Sequence, residues 1–189
     1  KWTPGEQLVI KQNSNYWGGA PEFTSVTFKP VVENGTRVAM LQSGDADFIF
    51  PLPSEQVASL QANKDLTVEV TPSIVTRYIT MNTQKKPFDD VRVRQALNYA
   101  VDKEAYAQVV YNGYAKPAVS LIGPNVQFHV AQDPYEYDIE KAKALLADAG
   151  YPNGFEVSLW SSNTTTMIKA TQFIKQQLSQ IGVTVNVEN

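Results

Sequence analysis

With 189 residues, 43% hydrophobic and 19% charged, the chain has ordinary globular composition, enough for one large domain or two modest ones and too apolar for a disordered segment. A net charge of −3 offers no basic field to a polyanion, so nucleic acid and anionic membrane surfaces are disfavoured and small solutes become the better guess. Cysteine is absent and His129 is the one histidine, which excludes disulfides, thiolate nucleophiles and cysteine or multi-histidine metal sites.

The first third reads as short strands separated by turns and helices. "LVIKQN" (Leu8 to Asn13), "SVTFKPV" (Ser25 to Val31), "ADFIF" (Ala46 to Phe50) and "LTVEVT" (Leu66 to Thr71) carry strand character, several alternating apolar with polar residues. Between them, "TRVAMLQSG" (Thr36 to Gly44) has helical spacing and a glycine stop. "SEQVASLQAN" (Ser54 to Asn63) starts with a serine in capping position after Pro53. Strands alternating with helices predict an α/β arrangement. No apolar run approaches the ~18 residues of a membrane span.

A further strand is expected at "TRYITMN" (Thr76 to Asn82), and a helix near Asp90, after Pro87. Val93, Ala96, Leu97, Ala100 and Val101 form one apolar stripe, and Asp102 reads as the cap of a second helix that stops at Gly113. An irregular stretch from Lys116 to Tyr137, with three prolines, precedes "DIEKAKALLADAG" (Asp138 to Gly150), a helix with an aspartate cap and a glycine stop. "FEVSLW" then puts Phe155, Val157 and Leu159 on one strand face. A helix striped by Met167, Thr171, Ile174, Leu178 and Ile181 and a closing strand "VTVNV" follow. This is βαβ grammar, for which a parallel sheet covered by helices is the usual solution. Both ends fall inside the pattern, so the chain reads as a piece of a longer one.

Enzyme signatures are missing: there is no phosphate-cradling glycine loop, no H-E-x-x-H and no G-x-S-x-G. His129 lies in the proline-rich stretch, where nothing in the sequence supports a triad. Asp89 and Asp90 read as a helix cap with its neighbour rather than an acid and base pair, and Asp45 and Asp47 as a turn. Binding features are more informative, because open α/β sheets bind ligands beyond the carboxyl ends of strands, where helix N-termini present N–H groups. Two places qualify. One runs from Phe50 to Ser54; the other is "WSSNTTT", where Ser161, Ser162 and Thr164 offer hydroxyls to a carboxylate and Trp160 offers a flat apolar wall. A plain serine or threonine cap in a surface turn is the alternative. Arg77 and Tyr78 inside the 76–82 segment, which Asn82 closes, invite a carboxylate partner; a solvent-facing arginine on an edge strand is the alternative there.

"NYWGGAPEFTSVTFKPV", "TRVAMLQSGDADF", "RYITMNTQKKPFDDVRVRQALNYAVDK" and "YEYDIEKAKALLADAGYPNGFEVSL" together resemble successive blocks of the extracytoplasmic solute-binding proteins of family 5, which serve peptide, nickel and glutathione ABC importers. Within that family "PSIVTRYITMN", "NGYAKPA", "AGYPNGF" and "LWSSNTTT" followed by "QFIKQQLSQIGV" are similar to the glutathione-binding branch. The resemblance implies a periplasmic-binding-protein-like (type II) α/β fold with mixed sheets, present in part and incomplete at both ends. Residues 1–75 would belong to lobe I, 76–83 would cross between lobes as a strand, and 84–189 would belong to lobe II.

It further implies an exported, periplasmic, non-enzymatic monomer that binds glutathione or a similar small peptide and delivers it to the permease, without cofactor. A general dipeptide- or oligopeptide-binding protein, or a subdomain that binds nothing alone, is the alternative. A peptide hydrolase or chaperone-like surface on the same scaffold is a reading from another class. The residues expected to touch ligand are Arg77, Tyr78, Asn82, Trp160, Ser161, Ser162, Thr164, Phe50 and Ser54, with Arg77 and the hydroxyl-rich helix start holding carboxylates. No acidic partner for the ligand ammonium can be named.

Overall fold

The computed structural model describes residues 1–188 and divides into two compact units, Lys1–Val57 and Ala58–Asn189. That boundary lies ahead of the segment 76–83. In the first unit, β1 (Trp2–Thr3), β2 (Gln7–Lys11) and β3 (Ser25–Phe28) form an antiparallel sheet in that order, with Leu8 opposite Phe28 and Lys11 opposite Ser25. β3 stops short of Pro30, which has no N–H to give a ladder. α1 (Asn34–Ser43) starts two residues earlier than its pattern suggests and ends where Gly44, at φ +80°, donates its N–H to the Leu41 carbonyl.

Two expectations in this region fail. Ser54 does not cap a helix: Pro53 occupies that position with no side-chain bond, Ser54–Gln56 form a 3₁₀ turn, and α2 is short (Val57–Gln61). The expected strands at 46–50, 66–71 and 76–82 pair with no neighbour among the described residues. Alternation records which side chains suit a half-buried extended segment, but a ladder also needs a second strand beside it.

The second unit keeps the remaining order. α3 (Val91–Tyr99), α4 (Lys103–Tyr111) and α5 (Ile139–Asp148) each begin on an aspartate whose carboxylate accepts a first-turn N–H. Asp90 takes Arg92 N–H at 2.8 Å, Asp102 takes Ala105 N–H at 2.9 Å and Asp138 takes Lys141 N–H at 2.9 Å. Asp90 is therefore a cap, also paired with Arg92 at 2.6 Å, and that guanidinium holds its carboxyl below the usual carboxylate range. α4 stops at Asn112 and Gly113, both at positive φ. The 116–137 stretch is irregular as expected, tied down in part by Lys103 Nζ, which donates to the Asn98 and Tyr135 carbonyls at 2.8 and 3.0 Å.

β4 (Glu156–Trp160), α6 (Thr165–Ser179) and β5 (Thr184–Glu188) complete a βαβ unit whose strands pair in parallel, from Glu156 opposite Thr184 to Trp160 opposite Glu188. Val157 and Leu159 turn toward the core while Ser158 and Asn186 face out, bonded to Glu188 and Glu156 across the pair at 2.6 Å. The core joins Val93, Ala96 and Ala100 to Ala142 and Leu146, and then to Phe173, Ile174, Leu178, Val183 and Val185. α3 packs on α5, α4 on α6, and α6 on β5. Alanines 96 and 142, with no exposed surface, let the α3 and α5 backbones approach closely.

Candidate functional site

The stretch after β4 is held by backbone before any side chain acts. Ser161 N–H donates to the Glu188 carbonyl at 2.9 Å, one bond beyond the paired strands, so Trp160 and Ser161 stand at the carboxyl ends of β4 and β5. Trp160 is 77% exposed on the outward face. Ser161 is half-buried; Ser162, Asn163 and Thr164 are exposed.

Thr164 is the N-cap of α6, its Oγ1 accepting Met167 N–H at 3.4 Å. The cap expected somewhere in this run is thus Thr164, and a hydroxyl that accepts a backbone proton still has its own to donate. α6 has no acidic side chain in its first turn, so the positive end of a fifteen-residue helix meets no side-chain anion of its own there. Hydroxyl protons, helix N–H groups and a bare indole face are together what a ligand carrying a carboxylate beside an apolar group requires.

Arg77, Tyr78 and Asn82 lie on an exposed segment that belongs to no strand. Asn82 is used locally, its Oδ1 accepting Gln84 N–H at 3.0 Å. Arg77 acts electrostatically on α4: burial pushes the Tyr106 phenol up to about 12, Tyr111 adds to the rise, and the Arg77 charge draws it partly back. The two tyrosine rings meet edge to face with centroids 5.9 Å apart, and Tyr106 also packs against Phe173. This aromatic pair, on which the Arg77 charge acts, escaped the sequence reading, which singled out neither Tyr106 nor Tyr111.

In the first unit, Phe50 is 81% exposed, and Ser54 is half-buried with its hydroxyl 3.4 Å from the Glu55 carboxylate. A cavity of about 300 Å³ opens beside it between α1 and the 3₁₀ turn, lined by Asn34, Val38, Gln42, Pro53, Glu55 and Gln56. A shallow groove of about 780 Å³ runs over α6 in the second unit, lined by Val109, Ile168, Phe173 and Lys175 among others. Neither is lined by an expected ligand contact. The sequence reading also missed Arg37, whose guanidinium Nη atoms bond three backbone carbonyls and the Asn34 amide oxygen.

Among the described residues no three metal-ligating side chains gather, and His129 has its Nδ1 2.6 Å from the Ile122 carbonyl, a backbone tie rather than a contact with a nucleophile. No helix among the described residues is long and apolar enough to cross a membrane.

Comparison with known proteins agrees with the residue blocks read above. Over 188 residues, 98% of this chain, it is 46% identical to the "Glutathione-binding protein GsiB" of Salmonella paratyphi A, and 45% identical to the protein of that name in Escherichia coli O1:K1 / APEC. The chain spans 37% of the length of these curated relatives. Among solved structures, the Helicobacter pylori periplasmic binding protein DppA in complex with peptide STSA superposes with a TM-score of 0.89 at 30% identity, over all of this chain and 37% of that one. NikA of Brucella suis in complex with Fe(III)-EDTA gives 0.86 at 26% identity, over 99% of this chain and 41% of that one. The GsiB and DppA names are those of binding proteins, and the superpositions agree with the mixed α/β architecture expected from the resemblance. Residues 1–189 match the family described as "Bacterial extracellular solute-binding proteins, family 5 Middle", and the chain belongs to that family.

Proposed function

We propose that this chain is part of the ligand-binding subunit of an ABC importer, which binds glutathione or a closely similar small peptide in the periplasm and delivers it to the membrane permease. In this reading residues 1–75 and 84–189 are parts of two lobes and 76–83 crosses between them. The observation that carries it is the hydroxyl-rich start of α6 at the carboxyl ends of two parallel strands, beside the exposed Trp160. Glutathione has two carboxylates, an ammonium and a thiol. The α6 start with Ser161, Ser162 and Thr164 suits one carboxylate, Arg77 suits the other as a bidentate clamp, and Tyr78, Asn82, Phe50 and Ser54 complete the contacts. A cysteine-free chain also fits a thiol cargo, since no mixed disulfide can trap it.

A dipeptide- or oligopeptide-binding protein is the second reading, favoured by the DppA likeness with its bound peptide. Calorimetry on the intact protein separates the two. Saturable heat with glutathione is expected, and Arg77→Ala is expected to weaken it by about 1.5 to 3 kcal/mol, the scale of a charge-assisted hydrogen bond. Heat with dipeptides and none with glutathione moves the protein to the peptide branch. Unchanged affinity in the Arg77 variant removes that residue from the site.

A further inference from the structure

Arg37 sits half-buried on the second turn of α1 with no carboxylate among its hydrogen-bond partners, which are all neutral oxygens. Nη1 donates to the Val31 and Val32 carbonyls at 2.8 and 3.0 Å. Nη2 donates to Asn34 Oδ1 and, fourteen residues ahead, to the Pro51 carbonyl at 3.1 Å. Drawing a guanidinium out of water costs free energy unless its donors are met; here both terminal nitrogens are met twice, while the buried Nε has no hydrogen-bond partner among the described residues.

Arg94 supplies an internal comparison. Its Nη1 donates to the Phe88 and Asp89 carbonyls at 2.7 and 3.2 Å, six and five residues back, the same offsets that separate Arg37 from Val31 and Val32. Both arginines therefore clamp the loop leading into their own helix. The bond to Pro51 is additional to that shared clamp, and it reaches a segment with no ladder to hold it. Lysine replaces this arrangement only in part: one ammonium nitrogen can bridge two carbonyls, as Lys103 does, but its three donors cannot make the four bonds that the planar fork makes to Val31, Val32, Asn34 and Pro51.

We propose that Arg37 is a positioning residue: its guanidinium fastens the segment after Phe50 to the loop before α1 and so sets where the Phe50 ring stands. An aromatic ring 81% exposed has little side-chain packing to orient it, so its direction follows from the backbone at residues 50 and 51. The consequence for ligand rests on the binding function proposed above, in which Phe50 is a contact.

The test uses the intact protein, with Arg37→Met, Arg37→Lys and Arg94→Met variants and each Arg37 background combined with Phe50→Ala. Amide hydrogen exchange across residues 48–56 is expected to rise about tenfold in Arg37→Met, and less in Arg37→Lys, with 91–111 unchanged. Arg94→Met is expected to do the reverse. Phe50→Ala is expected to weaken glutathione several-fold in the native background and less than about twofold beside Arg37→Met, since contacting or coupled residues are not additive.

Unchanged exchange at 48–56 in both Arg37 variants overturns the positioning role. An equal fold-loss from Phe50→Ala in both backgrounds overturns its link to the ligand. Phe50→Ala without effect in the native background removes Phe50 from the site and the ligand half of the inference, while exchange still decides what Arg37 holds. Should the methionine variant fail to fold, the lysine variant carries both readouts.

Discussion

Tyr106 shows how one residue joins packing to charge. Its phenol, pushed up to about 12 chiefly by burial, keeps its proton more tightly in the folded protein than in the unfolded chain, where it titrates near 10. The associated stability is full below pH ~10 and is lost as pH rises toward 12. Tyr106→Phe is expected to flatten the fall in unfolding free energy over that window relative to the native protein, measured by denaturant titration at stepped pH. An identical slope in both proteins would show that this phenol titrates as it does in the unfolded chain. Arg77 draws the value partly back, so Arg77→Ala, which removes a nearby positive charge, is expected to steepen the same slope.

At the scale of elements, the β4 and β5 pair rests on two glycines. Gly154 and Gly182 lie just ahead of the two strands at φ +77° and +80°, and a Cβ on Gly154 would overlap the Gly182 carbonyl. Gly150 has a similar φ of +90° with open space around it. Gly150→Ala is expected to cost about 1 to 2 kcal/mol, the strain of a left-handed alanine. Gly154→Ala is expected to cost clearly more, because backbone must move as well. Equal losses in chemical denaturation would mean that the strands separate freely. The sequence announced most of this unit: aspartate caps at 90, 102 and 138, a 3.6-residue stripe in α6 and alternation in β4 are local patterns that the tertiary structure keeps. The first unit was less legible, since whether 46–50 forms a strand depends on a partner no local pattern supplies, and Ser54 lost its capping role to Pro53, one residue earlier.

For the whole molecule, family and α/β architecture follow from blocks spread along the chain, whereas the ligand contacts rest on single residues whose neighbours in the sequence say little. Thr164 was legible as a possible cap because a hydroxyl before an apolar stripe has a fixed geometric use. Arg37 was not, because its acceptors at Val31 and Pro51 are backbone carbonyls, which every residue possesses. The central claim is that the start of α6 and Arg77 hold the carboxylates of a small peptide-like solute. A crystal structure of the intact protein with glutathione tests it most directly. The account predicts one carboxylate within about 3 Å of the Arg77 guanidinium and the other at the hydroxyls and N–H groups of Ser161 to Thr166. Both carboxylates held elsewhere, with Trp160 and Arg77 still facing solvent, would contradict it.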